Sequence, residues 1–156
     1  MSISDLIVVM KDGIIQQIGK PQEVYDSPVN LFVAKFLGTP SINVFDGSVK
    51  GGKLFIGEEA VLPVAGVADQ QVTVGIRPEG FILKENGALT CNLDRVEVMG
   101  RDTSVVAGHA CCLSDSIRSI ISAENTVNTE KPTVSFDLKP NKVFLFRKDT
   151  EERILF

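Results

Sequence analysis

The sequence predicts a mainly β protein with a short lead-in of one hairpin and two helices, and three observations predict it. Short β-branched runs recur from residue 44 to residue 146, separated by Gly, Asn and Pro. No helical period survives past residue 40. Before that point, the apolar runs are broken by a turn signal and by prolines spaced for short helices.

The lead-in comes first. Leu6-Ile7-Val8-Val9-Met10 is apolar and β-branched, Asp12-Gly13 supplies a turn that tolerates positive φ, and Ile14-Ile15-Gln16-Gln17-Ile18 returns. Both arms are too apolar for an exposed hairpin, so they are expected to pack against more protein. Pro21 suits the first turn of a helix through Tyr25, which Ser27-Pro28 stops. A second helix is expected from the N-cap Asn30 through Leu37, with Phe32, Val33, Phe36 and Leu37 on one core-facing stripe and Gly38 and Pro40 ending it. Past residue 40, strands are predicted over 44–49, 54–56, 61–64, 72–76, 89–98, 104–107, 117–121, 134–138 and 143–146. Strands of this length and spacing argue for an antiparallel barrel or sandwich of the OB-like kind. The chain is thus divided into 1–40 and a β domain over 41–156.

Composition narrows the function. Hydrophobic residues make up 44% and charged residues 23% of the 156, the balance of a folded soluble domain. The net charge of −4 disfavours capture of nucleic acid, which wants a basic face. No apolar run approaches the ~20 residues that span a bilayer, and the polar opening Met1-Ser2-Ile3-Ser4-Asp5 is unlike a signal peptide. Cys91, Cys111 and Cys112 are an odd set, unlike a secreted disulfide framework, and suggest a reducing cytoplasm.

No catalytic, cofactor or metal site is expected. Gly19-Lys20 is followed by Pro21, and Gly51-Gly52-Lys53 has no Ser or Thr after its lysine, so neither makes a phosphate cradle. His109, Cys111 and Cys112 are close in sequence, but adjacent strand cysteines point to opposite faces, and buried thiols are the simpler reading. One histidine serves the whole chain, and no carboxylate pair stands out for acid–base work.

Two stretches carry a resemblance. The run from Ser4-Asp5-Leu6 to Asp12-Gly13, with Gln17-Ile18-Gly19-Lys20-Pro21 and Glu23-Val24-Tyr25, resembles the final segment of an ABC-transporter ATPase domain. Pro28 and Phe32-Val33-Ala34-Lys35-Phe36-Leu37-Gly38 continue the likeness into a linker helix. Gly75-Ile76-Arg77-Pro78-Glu79, Val96-Glu97-Val98-Met99-Gly100 with Asp102-Thr103, and Val143-Phe144-Leu145-Phe146-Arg147 are similar to a TOBE-type regulatory domain. The family is that of the ATP-binding subunits of maltose-type importers, which serve sugars and sugar phosphates. The stretch from Ala110 to Asn128 departs from it, being longer and more polar, and sets no strand limits over 108–132.

The resemblance implies that the phosphate loop, signature sequence, catalytic Glu and switch His would all precede Met1. This chain would then be no enzyme, with ATP and Mg held only by the full-length parent. It implies a homodimer, membrane subunits reached through the ATPase domain, a cytoplasmic regulatory protein as further partner, and a place on the inner face of the cell membrane. The subunit or regulator contact is expected around Arg77, Pro78 and Glu79 and the turn at Gly100, Arg101 and Asp102. For Arg77 and Glu79, a local ion pair bracing the turn at Pro78 is the competing reading. An alternative function is an OB-like domain for a small ligand or oxyanion, which would need cations such as Arg77, Arg95, Arg101 and Arg118 to converge. A fragment with no independent function is a third reading.

Overall fold

The computed structural model describes residues 5–156, so Met1 to Ser4 of the polar opening lie outside the described residues. Strands β1 (Ile7–Lys11) and β2 (Ile14–Gly19) form an antiparallel hairpin. It turns at Asp12 and Gly13 with φ of 51° and 79°, the pair of left-handed residues a two-residue hairpin turn demands. Helix α1 (Pro21–Asp26) opens on its proline, and α2 (Leu31–Phe36) is capped by Asn30, whose side chain accepts from Val33 N at 2.9 Å.

The expected stripe on α2 is corrected. Leu31, Val33 and Ala34 are buried, Phe32 is half-buried, and Phe36 is 60% exposed. The helix is covered on two sides rather than one. Leu31 and Ala34 pack on Ile42, Val44, Phe144 and Phe146, while Val33 and Leu37 pack on Val9 and Val24. Phe36 lies on the side that neither contact covers.

The remaining strands are β3 (Asn43–Lys50), β4 (Lys53–Ile56), β5 (Glu59–Pro63), β6 (Gln70–Ile76), β7 (Phe81–Leu83), β8 (Leu89–Met99), β9 (Asp102–Gly108), β10 (Ile117–Ser122), β11 (Thr133–Leu138), β12 (Val143–Arg147) and β13 (Arg153–Ile154). They form two antiparallel sheets, ordered β10-β9-β8-β11-β7 and β13-β12-β6-β3-β4-β5. The sheets curl around one core into a nearly closed OB-type barrel. All nine expected strands are present, extended or trimmed by a residue or two, and β7 and β13 are additional.

Alternation along two strands explains where the helices sit. In β12, Val143 and Leu145 enter the barrel core while Phe144 and Phe146 face α2. In β3, Phe45 points inward and Val44 outward, again to α2. Strands buried on both faces read as unbroken apolar runs. The polar loop after β9 runs along β3: Asp46 N donates to Cys111 O at 2.8 Å and Leu113 N to Val44 O at 2.7 Å.

Candidate functional site: the seam between the helices and the barrel

Six-residue helices leave most of their last carbonyls without intrahelical partners. Here one side chain collects them. Arg77 follows β6, where Pro78 and Gly80 turn the chain into β7, and its side chain enters the seam at 1% exposure. Its guanidinium donates to Ala34 O at 2.8 Å and Leu37 O at 3.1 Å from α2, and to Tyr25 O at 2.8 Å from α1. The group lies 3.9 Å from the centre of the Tyr25 ring and 5.5 Å from that of Phe144. Arg77 therefore terminates both helices and stacks between a helix aromatic and a strand aromatic.

A buried cation needs nearby negative charge. Tyr25 Oη donates to both Glu79 carboxylate oxygens, at 2.9 and 2.7 Å. Lys142, on the turn before β12, lies 3.6 Å from Asp26 and 3.7 Å from Glu79. Burial pushes the Arg77 pKa down, against the pull of Tyr25, Glu79 and Asp26. The Tyr25 phenol is pushed well above its ordinary value, first by burial and then by the hydrogen bond to Glu79. Arg77 Nε finds no acceptor, so the geometry favours the three carbonyls over full satisfaction of the fork. Gly38, at φ 104°, completes the corner: a Cβ there would stand 3.1 Å from the Tyr25 ring.

The C-terminus closes the other end of the helices. Leu31 N donates to Glu151 O and Arg153 N to Val29 O, both at 3.0 Å, and Asn30 Nδ2 reaches Gln16 of the hairpin at 2.9 Å. Tyr25, Asn30 and Lys142 belong to this network and were missed from sequence. Only the Asn30 cap signal pointed to any of them.

The other expected positions separate. Pro78 is buried with Arg77, Glu79 is half-buried at the seam's edge, and Gly100, Arg101 and Asp102 form the exposed turn between β8 and β9. Glu79 and Asp102 nevertheless meet across one shallow cavity of about 430 Å³, lined also by Phe81, Ile82, Ile121 and Lys139. Arg77 and Glu79 interact through Tyr25, with no direct ion pair between them among the described residues. Arg95 is held by Asp94 and Glu97 on β8. Arg118 borders a separate cavity with Asn43, Ser114 and Asp115.

His109, Cys111 and Cys112 lie on the loop after β9, and Cys111 and Cys112 pack against the barrel core that holds Cys91 of β8. His109 Nδ1 accepts from Cys111 N at 3.0 Å, and its ring meets Phe45 edge-on. Burial pushes the Cys91 thiol up to about 12, with smaller contributions from Glu59 and Cys112. At the hairpin's end, Pro21 occupies the first position of α1 and so removes a backbone N–H where a phosphate cradle would need one.

Among the described residues, no helix is long and apolar enough to cross a membrane. A family profile described as the MalK OB fold domain matches residues 38–81, which run from Gly38 through the Arg77 turn into β7. The sn-glycerol-3-phosphate import ATP-binding protein UgpC of Ruegeria sp. (strain TM1040) is 30% identical over 99% of this chain and 43% of its own length. The Oligosaccharides import ATP-binding protein MsmX of Bacillus subtilis (strain 168) is 34% identical over 99% of the chain and 46% of its own. The Diacetylchitobiose uptake system ATP-binding protein MsiK of Streptomyces coelicolor (strain ATCC BAA-471 / A3(2) / M145) is 30% identical over 99% and 47%. The chain thus spans less than half the length of these relatives. Its residues 38–81 belong to the MalK OB fold domain family, and over nearly its whole length the chain is similar to ATP-binding proteins of ABC importers.

Proposed function

We propose that this chain is the regulatory and dimerisation part of an ATP-binding subunit serving an importer of sugars or sugar phosphates. The observation that supports it most is the Arg77 seam. A regulatory domain must pass displacement between two bodies, and a buried three-carbonyl anchor joins helices and barrel stiffly. Movement of the hairpin and helices is then carried to the barrel as a coupling free energy, with no chemistry of its own.

The exposed apolar residues of the hairpin, among them Leu6, Ile14 and Ile18, offer the surface on which the ATP-binding portion of such a subunit packs. Membrane subunits are reached through that portion, on the cytoplasmic face of the membrane. The cavity shared by Glu79 and Asp102 gives a cytoplasmic regulator a mixed polar and apolar contact. ATP and magnesium belong to the rest of the subunit, and this chain carries neither.

Two measurements test the reading. Calorimetry with ATP and magnesium should give no binding heat, and micromolar binding or phosphate release would overturn the non-enzymatic assignment. Sedimentation across a dilution series should show reversible self-association. A monomer at every concentration would remove the dimerisation role.

A further inference from the structure

The five-stranded sheet has an edge that its own chain leaves open. Strand β11 pairs with β8 only from Leu89 to Asn92, and Leu93 N donates to Pro132 O at 2.9 Å. Beyond that point β8 continues to Met99 with β9 along one side and, among the described residues, no strand along the other. The register with β9 shifts between Leu93 and Arg95, which marks a bulge where the free edge begins. Val98 and Met99 are 74% and 53% exposed. Neither Pro nor Lys, the residues that commonly guard such edges, occurs from Asp94 to Met99.

We infer that this edge, Arg95–Met99 of β8, is where two copies of the chain pair, strand against antiparallel strand across a two-fold axis at Val96. The inference rests on the dimerisation reading above and names its surface. The charge pattern argues for a second copy over an unrelated strand. A two-fold axis at Val96 sets Arg95 of one copy opposite Glu97 of the other, and the reverse pair follows by symmetry. Directly opposed residues have Cβ atoms about 4.5–5.5 Å apart, within reach of an ion pair. Within one chain Arg95 already holds Glu97 at 2.7 Å and Asp94 at 3.0 Å, on side chains about half exposed. Pairing converts this open run of charges into a closed ring of two cations and two facing carboxylates. At the centre Val96 meets its own symmetry mate, and Val98 and Met99 of each copy fall beside the bulge of the other. A register slipped by one residue to either side opposes like charges or sets a charge against valine, so the pattern selects its own copy in one alignment.

The contact is short, and the isolated chain accordingly belongs to the weak, concentration-dependent class of dimers. The turn Gly100–Asp102 sits at the end of the edge, which brings one of the sequence-flagged regions to the rim of this interface.

Sedimentation equilibrium on the wild type, Arg95→Glu, Glu97→Arg and the double exchange tests the proposal. All changes are on exposed side chains and should leave the fold, read by circular dichroism, intact. Each single change should weaken association about tenfold or more, because it strikes the pair twice. The double exchange should restore it. A wild-type dimer indifferent to either single change would overturn this surface and leave the dimerisation role standing. A wild type that is monomeric throughout would overturn both.

Discussion

Two apolar layers flank α2, and they differ in how they end. Toward the barrel, Leu31 and Ala34 meet Ile42, Val44, Phe144 and Phe146, and the polar groups at the rim are taken up by Arg77, Asn30 and the Glu151–Arg153 backbone. Toward the hairpin, Val33 and Leu37 meet Val9 and Val24, but the hairpin's other side presents Val8, Met10, Ile15 and Ile18 to solvent. The first layer is finished by the chain itself. The second stops after one sheet of two strands, which seldom stands alone. A seam whose helix-end carbonyls are held by a buried guanidinium is a place of fixed geometry, whereas a bare apolar face is a place to receive something.

The sharpest way to break this contrast is to remove Arg77. Arg77→Ala strips the donors from three buried carbonyls and should cost about 3–5 kcal/mol, read from the urea midpoint. Arg77→Lys keeps the charge but not the fork, and should recover only part of the loss. A cost below about 1 kcal/mol for the alanine variant would mean the seam does not depend on its anchor.

Tyr25→Phe comes next, at about 1.5–3 kcal/mol for a lost hydrogen bond to a carboxylate. Its pH dependence has a definite sign. The folded phenol binds its proton more tightly than the unfolded one, so this stability is present in full below pH 10.0 and is lost as pH rises above that value. The gap between wild type and Tyr25→Phe should therefore narrow in strongly alkaline buffer. A gap that widens there would reverse the assignment.

Asn30→Ala removes a cap and the tie to Gln16, for about 1 kcal/mol, and Asn30→Asp should keep the cap. The smallest effect belongs to the open face: Ile15→Ser should change stability by less than about 0.5 kcal/mol while improving solubility. Amide exchange extends the same comparison, with β1 and β2 expected to exchange at least about a hundredfold faster than β6.

Sequence reasoning found the barrel strands because each carries alternating or unbroken apolar residues between turn signals. It missed β7 and β13, which have three and two residues and no pattern to read. It placed Phe36 inside and overlooked Ala34, because a single amphipathic stripe is the wrong template for a helix covered on two sides. At the seam the sequence marked Arg77 and Glu79 but not their use. The acceptors of Arg77 are main-chain carbonyls of residues 25, 34 and 37, and a carbonyl carries no side-chain signature. Tyr25 is the sole tyrosine and lies 54 positions from Glu79, a distance no local pattern bridges.

The late return of the chain to α2 sets an order of events during synthesis. Leu31 and Val29 take their backbone partners from Glu151 and Arg153, and β6 receives β12 only after residue 143. A ribosome delivers the hairpin and both helices well before these partners, at about 5–20 residues per second. They must then wait for residues 143–153 before the layer beneath them is complete. The side of α2 that meets the barrel is consequently uncovered until those residues arrive, and a chain broken off before Arg153 leaves the helices without these ties.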